Sequence, residues 1–181
     1  MSILVVGLGN ILLSDEGVGV RTVEALAERY ELPDGVEVLD GGTSGMELLD
    51  TIAGRHLLIV VDAIASLRRA PGEVARLEGA EIDQLFRTRL SPHQLGLSEV
   101  LASLQLTGES PGEVVIIGVV PESLGLGLEL SSSGVRGRET ALALLIGELA
   151  QRGQFCRPRR LGHVGESSCV SGAKAERSPC A

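Results

Sequence analysis

Residues 57–61 read Leu-Leu-Ile-Val-Val, apolar on both alternate faces, and this run constrains the fold more than anything else in the chain. Successive side chains of a strand point to opposite faces, so an unbroken aliphatic run needs cover on both sides. A parallel strand at the centre of a sheet, held between two layers of helices, has that cover. Residues 2–6 and 113–120 are aliphatic runs of the same kind, the first ending at Gly7 and the second halted by Pro121. Residues 36–39 form a shorter one, closed by Gly41 and Gly42, and the alternating residues 73–77 suit an edge strand.

The segments between these runs carry helical spacing. Val20, Val23, Ala27 and Tyr30 share one face of residues 15–31, and Met46, Leu49 and Ala53 share another. Leu97, Leu101 and Leu104 align within residues 95–106, as do Leu142, Leu145, Ile146 and Leu149 within 135–149. Strand and helix in alternation predict an α/β fold of three layers, a mostly parallel twisted sheet with helices on both faces. The pattern leaves the strand order open.

With 181 residues the chain suits one domain. Its 44% apolar and 2% aromatic content means that aliphatic side chains must fill the core. The longest apolar stretches are too short and interrupted to span a bilayer, and no basic stretch followed by an apolar run opens the chain, so a cytoplasmic location is expected. The formal net charge is −8, yet six of the sixteen basic residues lie from Arg152 onward, which leaves residues 1–151 strongly acidic. An acidic body lacks the basic face that phosphates require, so nucleic acid is excluded as a partner. Residues 153–181 lose apolar periodicity and fill with Arg, Gly, Ser and Pro. The domain is therefore expected to cover 1–152, followed by a poorly ordered basic tail whose removal should be nearly silent. Cys156, Cys169 and Cys180 all lie in that tail, so the body has no thiol nucleophile. Their spacing, with His163, matches no usual zinc motif.

Three groups stand where the chain leaves a strand for a loop or helix: Glu16 in Gly-Leu-Gly-Asn-Ile-Leu-Leu-Ser-Asp-Glu-Gly, Asp62 after the central run, and His93 in Ser-Pro-His-Gln. Each alone has a structural explanation, as a helix-dipole acid, a strand-end cap and a surface histidine. Together they suit a metal. Ligands collect beyond the carboxyl ends of strands in open α/β sheets, and two carboxylates with one imidazole fit Ni²⁺ or Zn²⁺ with coordination positions left open. The loop holding His93 is expected to lead into the following helix. Gly7 and Gly9 also invite a dinucleotide-binding reading, but Leu12 occupies the third glycine position and Asp15 and Glu16 put negative charge where phosphates would sit. Asp40, before Gly41 and Gly42, reads first as a turn aspartate.

The N-terminal motif Gly7-Leu8-Gly9-Asn10-Ile11-Leu12, with Asp15-Glu16-Gly17-Val18-Gly19, resembles that of the hydrogenase maturation endopeptidases. Asp40-Gly41-Gly42-Thr43, Asp62-Ala63 and Ser91-Pro92-His93-Gln94 follow in the family's order, and the similarity runs to about residue 150. The resemblance implies a cytoplasmic protease, aspartyl-type or metal-assisted, that removes a C-terminal extension from the large-subunit precursor of a nickel–iron hydrogenase after nickel insertion. It implies nickel as the metal, bound by Glu16, Asp62 and His93, with zinc or cadmium able to replace it in vitro, and it places Asp40 near the cleft as a catalytic candidate. Val120-Pro121 departs from the Gln-Pro common in the family. Two other readings compete: a non-enzymatic nickel-binding chaperone on the same fold, and a nucleotide-binding oxidoreductase.

Overall fold

A computed structural model describes residues 1–65, 68–88 and 92–159, except for the side chains of residues 88, 92 and 93. The principal sheet has five strands: β1 (Ile3–Leu8), β3 (Val36–Gly42), β4 (Leu57–Ala63), β5 (Val74–Glu78) and β6 (Glu113–Val119). Their order is β3-β1-β4-β6-β5, parallel except for β5, which runs antiparallel to β6 at the edge. The expected three-layer fold is therefore present, with 57–61 inside its central strand and 73–77 inside its edge strand.

Alternation along the strands builds two cores. Ile3 and Val5, Leu57, Ile59 and Val61, and Val115, Ile117 and Val119 face α1 (Val18–Arg29) and α5 (Ser132–Gln151). Leu4, Val6 and Leu8, Leu58 and Val60, and Ile116 face the other way, towards α2 (Leu49–Ile52), α3 (Ala80–Thr88) and α4 (Pro92–Thr107). All seven residues of β4 are buried, as a run without alternation requires. Helix α3 falls where the sequence reading assigns no element, although Ile82, Leu85 and Phe86 have the spacing of an apolar helix face and pack on the second core.

The domain boundary expected at residue 152 falls short. Tyr30–Glu31 (β2) pairs antiparallel with Arg157–Pro158 (β7), Cys156 packs against the first core, and the Arg159 amide donates to the Arg29 carbonyl at 2.8 Å. The guanidinium of Arg159 also donates to the carbonyls of Ala27 and Tyr30. Periodicity could not reveal this segment, because backbone pairing and one part-buried thiol hold it. Residues 160–181, the rest of the expected tail, lie outside the described residues. Truncation after Arg152 is therefore expected to cost about 2 kcal/mol, lowering the melting temperature by roughly 4–8 °C. Thermal unfolding of the truncated chain checks this, and an unchanged midpoint would return the boundary to residue 152.

Candidate active site

The chain leaves β1 towards β3 on one side and returns to β4 on the other, so the carboxyl ends of β1 and β4 flank a topological switch point, where open α/β sheets bind ligands. Two glycines let the backbone close over it. A Cβ on Gly19 would lie 2.1 Å from the Val61 carbonyl oxygen and 2.3 Å from that of Leu8, so only glycine lets the start of α1 rest on both strand ends. Gly9 has φ +124°, and its Cβ would lie 1.8 Å from the Glu16 carbonyl oxygen. The glycine-rich segment thus folds a 3-10 turn, Ser14–Gly17, back over β1, and Glu16's own backbone fills the place where a dinucleotide phosphate would be cradled. Glu16, half-buried, rides on this turn, which packs against β4.

Asp62 lies one residue from the end of β4 and is only 2% exposed. Its Oδ1 accepts the Ala63 amide at 2.8 Å, and its Oδ2 accepts Nε2 of Gln94 at 3.0 Å. The same Nε2 donates to the Ala63 carbonyl at 2.9 Å, which fixes the amide's orientation, since its oxygen would repel both acceptors. Gln94, itself buried, was no candidate on sequence grounds beyond its place in the Ser-Pro-His-Gln motif. It ties the first turn of α4 to the end of the central strand.

His93 is the second residue of α4, within the helix rather than on a loop before it. Pro92 is pre-organised for a first helical position, and the Gln94 contacts hold the turn in place. A close approach further along helps, since a Cβ on Gly96 would lie 2.8 Å from the Gly45 Cα. His93 thus belongs to a helical turn that Gln94 ties to the Asp62 strand end, while its side chain lies outside the described residues. Among the described residues no three His, Cys, Asp or Glu side chains gather as a metal cluster. The fold brings the Glu16 turn into contact with the strand that ends beside Asp62, and two carboxylates and one imidazole are residue types whose chemistry suits a borderline divalent ion.

Asp40 stands apart from that pair. It pairs with Gly7 across β3 and β1, so β1 lies between it and β4, roughly 10 Å across two strand spacings. It is exposed at the same end of the sheet, and its Oδ1 accepts the Gly42 amide at 2.9 Å, the turn contact its position predicts.

The residue that sequence reasoning missed most completely is Asp15. In the sequence it reads only as charge beside Glu16, yet it is fully buried. Its Oδ2 accepts the Glu122 amide at 2.9 Å, the Ser123 amide at 3.2 Å and the Ser131 hydroxyl at 2.7 Å, while Oδ1 accepts the Ser131 amide at 2.7 Å. Burial pushes its pKa up, but the Ser131 hydroxyl and the three amides outweigh that and hold the carboxyl below its ordinary range. Ser131 also caps α5 by accepting the Gly134 amide at 2.9 Å. Ser14 takes φ +50°, rare outside glycine, and is held there by donating its amide to Gly127 O at 2.8 Å and its hydroxyl to Glu129 O at 2.9 Å. The turn carrying Glu16 is thereby fastened to the loop between β6 and α5, more than a hundred residues away. No local sequence pattern signals such a pairing.

A family model described as hydrogenase maturation protease matches residues 20–148. The chain is 49% identical over 163 residues to the hydrogenase 2 maturation protease of Escherichia coli K12, covering 90% of this chain and 99% of that one. A solved structure of the hydrogenase maturating endopeptidase HybD from E. coli superposes with a TM-score of 0.84 at 50% identity, covering 88% of this chain and 98% of that one. The [NiFe] hydrogenase maturation protease HybD from Thermococcus kodakarensis gives 0.70 at 31% identity, covering 83% and 99%.

Proposed function

The chain belongs to the hydrogenase maturation protease family, and from that premise we propose that it cleaves the C-terminal extension from the large-subunit precursor of a nickel–iron hydrogenase, in the cytoplasm, after nickel has been inserted. The observation that carries this reading is the convergence of the Glu16 turn and the Asp62 strand end on the switch-point crevice, beside the first turn of α4. Glu16, Asp62 and His93 hold the precursor's nickel with three protein ligands, and the open positions are completed by the precursor's own groups. The protease thereby tests whether its substrate is loaded. The chemistry that nickel would supply, held by Glu16, Asp62 and His93, is that of a Lewis acid towards the precursor's reacting carbonyl.

The chain's own residues do the positioning. Gln94 holds the Asp62 carboxylate at the strand end, so that the ligand is aimed before substrate arrives. Asp40, exposed on the same rim about two strand spacings from Asp62, would act on the precursor's scissile bond rather than on the metal ligands, taking a proton from the attacking water and passing it to the leaving amine nitrogen. No helix among the described residues is long and apolar enough to cross a membrane.

The test is incubation of the purified chain with nickel-loaded and nickel-free precursor. Release of a C-terminal peptide from the loaded form alone is the expected result. Binding of loaded precursor without any peptide release would make the protein a nickel-binding chaperone instead.

A further inference from the structure

Two loops at the carboxyl end of the sheet display apolar side chains to solvent. Ile11 and Leu12 lie on the segment leading to the Glu16 turn, and Leu124, Leu126 and Leu128 lie on the loop between β6 and α5, with exposures of 55%, 91% and 61% for those three. Single exposed leucines are ordinary; several on two adjoining loops are not. The loops are hydrogen-bonded to each other as an isolated bridge at Leu13 and Gly127, with the Gly127 amide donating to Leu12 O at 3.0 Å and the Ser14 amide to Gly127 O at 2.8 Å.

This patch stands on a rigid base. Asp15 fastens the second loop at Glu122, Ser123 and Ser131, and Ser14 adds its bond to Glu129. A fixed apolar surface loses little conformational entropy when a partner covers it, which is what binding requires. The recess of about 310 Å³ beside Leu128 does not suit a free anion, because Arg21 pairs with Glu24, and Arg29 and Arg138 both pair with Glu139.

We infer that the patch formed by Ile11, Leu12, Leu124, Leu126 and Leu128 docks an apolar stretch of the large-subunit precursor, holding the polypeptide over the crevice while its nickel meets Glu16 and Asp62. This rests on the proposed cleavage of that precursor. The occupant follows from continuity: Leu12 and Glu16 belong to one short segment, and Asp15 joins that segment to the leucine loop, so a polypeptide entering the crevice from this side lies on the patch. The acidic body makes apolar contact the better means of holding an extended chain there, since it adds no charge requirement.

The experiment compares wild type, the triple variant Leu124→Ser/Leu126→Ser/Leu128→Ser and the control Leu106→Ser, whose leucine is 90% exposed at the far end of α4. Binding of nickel-loaded precursor is measured by calorimetry and peptide release by mass spectrometry. The triple variant is expected to bind at least ~10-fold more weakly and to raise KM to match while kcat is retained, with the control unchanged; losses of this size are typical of central interface side chains. If the triple variant does not fold, Leu126→Arg, at the most exposed position, carries the same test. Equal precursor affinity in variant and wild type overturns the inference, as does a wild type that binds no precursor. Self-association of the wild type that the triple variant loses, with precursor affinity unchanged, would make the patch an interface between copies. Binding without cleavage in the wild type would remove the protease reading and leave the docking comparison intact.

Discussion

Asp62→Asn is expected to abolish precursor cleavage and to weaken nickel binding by at least ~10-fold, the lower bound set by what even an outer-shell partner of a metal ligand contributes. The substitution keeps the shape of the side chain and removes the charge that offsets the cation. It also disturbs the neighbourhood, and the reason lies in hydrogen-bond direction. Oδ1 must remain an acceptor for the Ala63 amide, which puts the new amide nitrogen opposite Nε2 of Gln94, donor against donor. Gln94 cannot turn over without facing its own oxygen to the Ala63 carbonyl. The sequence alone suggests that the change would leave stability untouched or improved, through relief of repulsion between Glu16 and Asp62. The buried amide contact reverses that expectation to a loss of about 1–3 kcal/mol. Two measurements separate the effects: thermal unfolding without metal reads the Gln94 conflict, and the additional shift on adding Ni²⁺ reads binding by mass action. A variant with the full nickel-induced shift and normal cleavage would make Asp62 a strand-end cap and dissolve the three-ligand site.

How far the sequence could carry this reading follows from the range of the interactions involved. The layers were legible because alternation and helical spacing are local, and an unalternating run such as 57–61 can sit only in the middle of such a sheet. Strand order was not, since it depends on which edges pair across long connections. Asp62 and Glu16 were recognisable as candidates because both follow aliphatic runs, whereas the brace between them and the rest of the fold was hidden. Gln94 acts through an amide aimed at a strand 31 residues away, and Asp15 through donors more than a hundred residues on. From the sequence His93 reads as loop, because apolar spacing begins only at Leu95 and gives no sign of a helix that starts with a proline. Composition does not reveal Arg157 and Pro158, because it registers periodic apolar residues and not a two-residue backbone pairing.

Asp15→Asn is expected to lower stability by about 3 kcal/mol, from the loss of charged hydrogen bonds at a fully buried site. Both carboxylate oxygens receive only donors here, so either placement of the asparagine amide sets an N–H against another donor: the Ser131 amide at one oxygen, or the Glu122 and Ser123 amides at the other. For a domain of this size the midpoint should fall by roughly 6–12 °C at pH 7. The sign of the pH dependence follows from the depressed carboxyl. Because the folded-state pKa lies below the unfolded value of roughly 4, the contribution is complete above that value and is lost as pH falls through the folded one. Wild type and variant should therefore differ most near neutrality and converge in acid, measured by thermal unfolding of the nickel-free proteins from about pH 7 down to about pH 3. The same variant frees the loop that displays Leu124, Leu126 and Leu128, so precursor affinity should fall even at temperatures where the domain remains folded. A midpoint gap that stays constant with pH would show that the ionised carboxylate contributes nothing to holding that loop, and that Asp15 acts through its shape alone.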